Sequence, residues 1–233
     1  MLVSQILTDV RNELKETAAA FWSDTELIRL INRGVTDFVT RTFILQDEAV
    51  LTLEEGRSDY PVPGNWISAR LIMHKYITAD GVIGWARVYP TNIEKVSQEN
   101  PNFLDDVGQQ GRPSRYFIWN NTISVKPAPS AENISDSNLK LYYIASAAPI
   151  TEQNQNLGIP DSLADGITAF VLWKAWKKEE EEEAALEQRE LYFDYVKQGL
   201  RFVKKRVGDE RKMIDIESPV GFRQQRNPFD PLS

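Results

Sequence analysis

Apolar residues recur every three to four positions at both ends of the chain and close to every second position through its middle. Leu2, Ile6, Val10 and Leu14 fall four apart with Val3 and Leu7 beside them, which predicts an amphipathic helix over about 2–16. Ser23 followed three residues later by Glu26 reads as a capping box. It opens a second helix over about 23–42, whose buried face carries Leu27, Leu30, Ile31, Val35 and Phe38. From Asp47 the period shortens. The run AVLTLEEGRSDYPVP predicts two strands paired around a turn at Glu54–Arg57, closed by Tyr60-Pro61. SARLIMHKYI and VIGWARVY form the next pair across Asp80-Gly81, and RYFIWNNTISVKP forms a hairpin about Asn120-Asn121. LKLYYIAS adds a further strand after the polar loop Ser130–Asn138. Between them, TNIEKVSQEN predicts one short helix capped by Thr91 and stopped by Pro101, and Asn102–Pro113 reads as a loop.

Helical spacing returns after Pro160, with Asp161 or Ser162 as the cap and Leu163, Ile167, Phe170, Val171 and Ala175 on one face, predicting a helix over about 161–178. A stripe of Leu186, Tyr192 or Phe193, Val196, Leu200 and Val203 continues it over about 183–206, as one kinked helix or two stacked ones with the break near Glu179–Glu183. From Gly208 the period is lost, and three prolines separate isolated apolar residues. The expectation is an α+β protein. Its helical bundle, from segments 1–42 and 160–206, encloses a β-rich middle of about 47–146 inserted over 46–150, and an extended arm follows over 207–233.

Composition narrows the chemistry. The 233 residues contain no cysteine, which removes disulfides, thiolate nucleophiles and cysteine-ligated metals. The acid-bearing N-terminal helix has no unbroken apolar core, and no stretch approaches the ~18 apolar residues of a membrane span, so the reading is a chain made in the cytoplasm without a membrane partner. The net charge is −7, unevenly spread: from Arg201 onward there are eight Lys/Arg against five Asp/Glu, and before it 19 against 29. An acidic body does not wrap nucleic acid, because phosphate must be neutralised by Lys and Arg.

The catalytic inventory is thin. His74 is the one histidine and sits in a predicted strand, where packing is the expected role. Glu179–Glu183 spread about 100° apart around a helix and cannot converge on an ion, so they read as a solvated face. Asp105 and Asp106 read as turn formers. Neither GxGxxG nor GxxxxGK[ST] occurs, so no cofactor is implied.

Three features remain as binding candidates. The basic cluster Arg201, Lys204, Lys205, Arg206, Arg211 and Lys212 either complements the C-terminal helix dipole or faces DNA or an acidic partner. Trp173 and Trp176, three apart on one helix, fill the core or meet a second subunit. The arm spaces Met213, Ile214, Ile216, Val220, Phe222, Phe229 and Leu232 between prolines and charges, either as a loose terminus or as anchors that dock on a neighbour.

The segments FWSDTELIRLINRGVTDFV, YPVPGNWISARLI, RPSRYFIWNNTISVKPAP, LKLYYIASAAPIT and IPDSLADGITAFVLWKAW, then ELYFDYVKQGLRFV, occur in an order that resembles the head-to-tail adaptor (connector) proteins of tailed bacteriophages, over residues 1–206. The resemblance implies a structural virion protein of the neck and not an enzyme. It would form a homo-oligomeric ring of about twelve copies beneath the portal protein, extend the channel for packaged double-stranded DNA, and dock downstream tail or nozzle proteins. It also places the arm where such proteins reach into a neighbouring ring. A stopper or nozzle ring subunit, and a carbohydrate- or host-binding tail module using exposed aromatics, are the competing readings.

Overall fold

The computed structural model describes residues 1–16, 21–77, 80–100, 110–134 and 139–207. In chain order the elements are α1 (Val3–Glu13), α2 (Asp24–Thr42), β1 (Gln46–Leu51), β2 (Asp59–Pro61), β3 (Trp66–Ile77), β4 (Ile83–Pro90), α3 (Ile93–Glu99), β5 (Gln110–Gly111), β6 (Arg115–Trp119), β7 (Thr122–Lys126), β8 (Ala128–Pro129), β9 (Leu139–Ala145), α4 (Asp165–Lys178) and α5 (Glu182–Val207). The class is α+β, as the two periodicities require: four long helices come from the chain's two ends and a sheet from its middle. The arm, with Arg211, Lys212 and all seven of its apolar anchors, lies outside the described residues, as do Asp105 and Asp106.

Two cores follow from this division. The first gathers Val3, Ile6, Leu7 and Val10 of α1, the predicted stripe of α2, Ile167, Phe170, Val171 and Ala175 of α4, and Tyr192 and Val196 of α5. α4 and α5 run antiparallel, with Phe170 against Tyr192 and Gly166 against Tyr195. The break between them falls at the glutamates, where Glu180 takes a left-handed φ of 65°. Leu186, expected in the buried stripe, is instead 55% exposed, because the hairpin's contact face on α5 is centred on Ala185, Tyr192 and Val196.

The second core lies in a curled seven-stranded sheet of order β1-β9-β3-β4-β6-β7-β2, antiparallel except for β4–β6. Ile72 of β3, Leu139 and Leu141 of β9, Ile123 and Val125 of β7 and Tyr60 of edge strand β2 belong to one buried cluster, so strands from the centre to the rim wrap a common interior. Two register shifts between Trp66 and Leu71 bend β3 and help the sheet curl. Leu45 packs against both cores and joins them.

Long-range pairing overrides one local expectation. β1 and β2 flank the predicted turn, and the turn is there, with Arg57 N–H donating to Glu54 O and Gly56 at φ 70°. The strands, however, do not pair with each other: β1 pairs with β9 and β2 with β7, at opposite rims. The Tyr60 hydroxyl lies 2.7 Å from Arg57 O and accepts from Glu54 N–H at 3.0 Å, holding the turn from its flank. The other two hairpins pair as expected, with Asn120 and Asn121 both at positive φ.

Helix starts also depart from the expected caps. Asn92, not Thr91, caps α3 by accepting from Lys95 N–H at 2.7 Å. Neither Asp161 nor Ser162 caps α4; they begin a 3-10 turn, Asp161–Leu163, and α4 starts from Ala164 with no side-chain cap. Asp161 pairs instead with the Met1 ammonium. At α2 only half of the capping box forms: Ser23 accepts from Glu26 N–H, while the Glu26 carboxylate turns to Lys178 Nζ at 2.7 Å. The predicted loop 102–113 carries one short strand, β5, which pairs in parallel with β8.

Candidate assembly surfaces

His74 occupies the interior of the sheet with no exposed surface. Its Nε2 lies 3.2 Å from the Asn133 carbonyl, an acceptor only, so Nε2–H donates and Nδ1 is the bare ring nitrogen, without a partner among the described residues. Burial pushes its pKa below the ordinary histidine value, and nearby Arg112 pushes the same way against the Asn133 bond. The ring is a neutral packing group. No cluster of His, Asp or Glu among the described residues could hold a metal ion. No described helix is long and apolar enough to cross a membrane.

Surfaces are what the described fold offers, and four stand out. The first is the free end of the β3–β4 hairpin. Among the described residues β3 pairs with β9 as far as His74, and beyond it β3 and β4 pair with each other out to Ile77 and Ile83. Ile77, Val82, Ile83 and Trp85 are each between 45% and 61% exposed there. The second is the β6–β7 turn, where Trp119 is 65% exposed. A contiguous apolar patch such as the first is a candidate contact site.

The third surface is the end of α5. Arg201 and Lys205 are exposed and Lys204 half-buried, all within roughly 100° of arc on the helix, so they share one side. Arg206 points elsewhere and covers the Phe202 ring at 4.9 Å. Phe202 and Val203 pack on the helical core, so the basic turn is anchored. Trp173 and Trp176 are both half-buried: Trp173 stacks on Tyr192 with centroids 6.3 Å apart and meets Phe170 edge-on at 5.6 Å, which commits much of its ring to its own subunit.

The fourth surface was not singled out by sequence reasoning, although a signal for it exists. Arg29, Arg33, Asp37 and Arg41 are four apart on α2 and share a face. Asp37 accepts from Arg41 Nε at 2.6 Å and from the Tyr192 hydroxyl at 2.5 Å. Burial raises the Asp37 carboxyl, but these two donors outweigh it and hold the pKa below the usual carboxylate range. Burial and the same hydrogen bond push the Tyr192 phenol up. Lys174 of α4 and Arg189 of α5 stand beside this stripe, over the Trp173 ring at 3.4 and 5.9 Å.

A second contact missed in the sequence ties the bundle's two halves. The Trp22 indole donates to Glu179, and Arg11 spans Asp24 at 2.5 Å and the Trp22 carbonyl at 2.9 Å. Trp22 and Glu179 are 157 residues apart, which leaves no spacing to read.

The described fold is thus a helical bundle joined to a curled sheet with exposed apolar ends. The family described as SU10 adaptor protein matches residues 1–213. The chain belongs to the SU10 adaptor protein family. This agrees with the resemblance to head-to-tail adaptors carried by the sequence segments, and makes the protein an adaptor by family. The matched region of this adaptor ends at Met213, leaving 214–233 beyond it. Among solved structures, a chain from one titled "Neck of empty GTA particle computed with C6 symmetry" is similar over 73% of the adaptor and 75% of that chain, at 11% identity and a TM-score of 0.29. No curated protein sequence matches.

Proposed function

We propose that this adaptor is a structural virion protein of the neck, which assembles as a ring of about twelve copies below the portal, extends the DNA channel and docks the tail. The observation that carries the reading is the family match over residues 1–213, nearly the whole chain. Residues 1–206 act as the adaptor domain, the helical bundle packing subunit against subunit through surfaces that include Trp173 and Trp176. The β-rich insertion faces the next tail component, and its exposed apolar hairpin end supports that assignment. Arg201, Lys204, Lys205 and Arg206, continued by Arg211 and Lys212, face packaged DNA or an acidic partner. The arm 207–233 docks on the portal or a neighbouring ring through Met213, Ile214, Ile216, Val220, Phe222, Phe229 and Leu232. No cofactor or catalytic step enters this role.

Co-sedimentation with purified portal tests the reading. The full chain pellets with portal, and a chain lacking 208–233 stays folded but remains in the supernatant; unchanged pelleting of the truncated chain contradicts the arm's role. Exposed Trp85 and Trp119 favour one rival, a carbohydrate-binding tail module. Glycan binding by a chain that ignores portal would support that rival.

A further inference from the structure

A sheet edge with unpaired N–H and C=O groups is a template for another strand unless local chemistry blocks it. At the β2 rim, Pro61 has no N–H to offer, and Arg57 Nε donates to the Asp59 carbonyl at 2.9 Å. At the β1 rim, the Glu48 N–H donates to the adjacent Asp47 carboxylate at 2.9 Å. β4 presents a third edge. Tyr89 N–H donates to Ser114 O on the β6 side, and alternate residues of a strand face the same edge, so Ile83, Trp85 and Arg87 direct their backbone groups there too. β6 joins that edge at Tyr89 and Pro90. Before Tyr89 these three residues meet no backbone partner across it among the described residues, and neither a proline nor a register shift interrupts β4 there.

The side chains beside this edge are apolar with one cation among them. Ile83, Trp85, Arg87 and Tyr89 alternate onto one face of β4. The three apolar ones are 56%, 45% and 58% exposed. Arg87 is exposed, lies 5.3 Å from the Tyr89 ring centroid and makes no ion pair among the described residues. On the opposite face Gly84 and Ala86 are small and half-buried, which leaves room for larger side chains from an added strand.

The chain itself carries a segment of matching pattern. In Lys212-Met213-Ile214-Asp215-Ile216-Glu217 the period is two: Ile214 and Ile216 fall on one side, Met213, Asp215 and Glu217 on the other, and Pro219 ends the run. Laid along β4, the acidic side meets Arg87 and the isoleucines cover Gly84 and Ala86. Residues 208–233 follow α5 and reach at most about 90 Å when fully extended, enough to cross to an adjoining subunit.

We propose that segment 212–217 of a neighbouring copy adds as a strand to the open edge of β4 at Ile83–Arg87, with Asp215 opposite Arg87. Backbone hydrogen bonds hold it and the alternating side chains set its register. Donor segment and acceptor edge are different parts of one chain, so the contact passes head-to-tail from copy to copy, as a closed ring requires. It rests on the ring reading of the preceding subsection and divides the arm: the anchors before Pro219 hold a neighbouring copy, and those after it are left for the portal.

The chain has no cysteine, so introduced thiols report the contact. Full-length Arg87→Cys and Asp215→Cys chains, distinguished by tags of different mass, are assembled together with and without portal, oxidised and separated under denaturing conditions. The expected product is a disulfide-linked pair with one chain of each kind, with little linkage when either is assembled alone. Linkage in Arg87→Cys alone places two β4 edges together and overturns the proposal. Closure within a chain carrying both cysteines, without linkage between chains, places the segment on its own sheet and also overturns it. Rings without any linkage overturn the strand assignment and leave the adaptor reading standing, whereas an unsubstituted chain that forms no ring even on portal overturns both.

Charge exchange gives a second readout. Arg87→Asp and Asp215→Arg each raise the concentration needed for ring formation about three- to ten-fold, with melting by circular dichroism unchanged. The chain carrying both substitutions recovers toward the original level; no recovery overturns the pairing of these two residues.

Discussion

The Trp22 indole N–H donates to the Glu179 carboxylate across 2.7 Å, joining the residue that precedes the α2 cap to the turn between α4 and α5. Trp22 is 2% exposed, and Lys178 Nζ lies 4.2 Å from its ring centroid while pairing with Glu26. The turn is thereby held to the N-terminal helices by a buried ring, a hydrogen bond and a shared cation. Trp22→Ala removes the ring, its hydrogen bond and the cation's contact with it, leaves the Lys178–Glu26 pair, and costs about 3–5 kcal/mol. Glu179→Ala leaves the indole without its acceptor and costs about 1–2 kcal/mol. Urea unfolding of the two variants checks the order; equal losses would mean that the hydrogen bond, and not the ring, dominates.

Close approach of the helices makes a second prediction. A Cβ on Gly166 would lie 2.7 Å from Tyr195 Cβ, an atom next to the backbone that cannot swing aside. Gly166→Ala improves helix propensity by up to about 1 kcal/mol, yet it forces α4 and α5 apart at about 1–3 kcal/mol, so the net effect is destabilising. At Gly84 the nearest atom is the ring end of half-buried Tyr76, which can rotate, so Gly84→Ala is milder. Thermal melts of the two variants decide this; a more stable Gly166→Ala chain would contradict the packing.

The helices were legible because a buried face repeats within one segment. α2 shows this best: Leu27, Leu30, Ile31, Val35 and Phe38 are all buried, as their spacing requires. Hairpins closed by Asn120-Asn121 and Asp80-Gly81 were legible for the same reason, since turn chemistry and pairing are local. What was hidden depends on distant partners. Nothing near β1 announces that its mate is β9, roughly 90 residues on, and Glu26 looks like the second half of a capping box until Lys178 arrives from α4. Of the candidate sites, the basic end of α5 could be read as a run. The cations around Trp173 could not, because Lys174 of α4 and Arg189 of α5 meet over that ring only after the two helices pack. The family was carried by the order of the segments, and the match over 1–213 agrees with it.

His74 sets a pH dependence. Its folded pKa lies below the unfolded value of about 6.5. The unfolded chain therefore takes up a proton first as pH falls. Stability is fully present above about pH 6.5 and declines on acidification toward the folded value. His74→Gln is less stable at pH 8 but loses less between pH 7 and 5, as chemical denaturation across that range will record. Parallel pH profiles would show that the decline comes from the carboxylates.

The end of α5 separates a structural from a functional role for its charges. Lys205 and Arg206 are exposed, and the Arg206 guanidinium covers the Phe202 ring. Replacing Lys204, Lys205 and Arg206 by Gln weakens the helix-dipole contribution by no more than about 1 kcal/mol. The expected outcome is a nearly unchanged melting temperature with altered DNA retention or ejection in assembled particles. A large loss of stability with normal DNA handling would favour dipole complementation as their purpose.

The central claim is that this adaptor-family chain works as a ring. Mass photometry of the full protein, alone and mixed with portal, measures that directly. The account predicts a single high-order species near the mass of about twelve subunits, formed spontaneously or on the portal. A strict 26.7 kDa monomer that ignores portal at every concentration would contradict it.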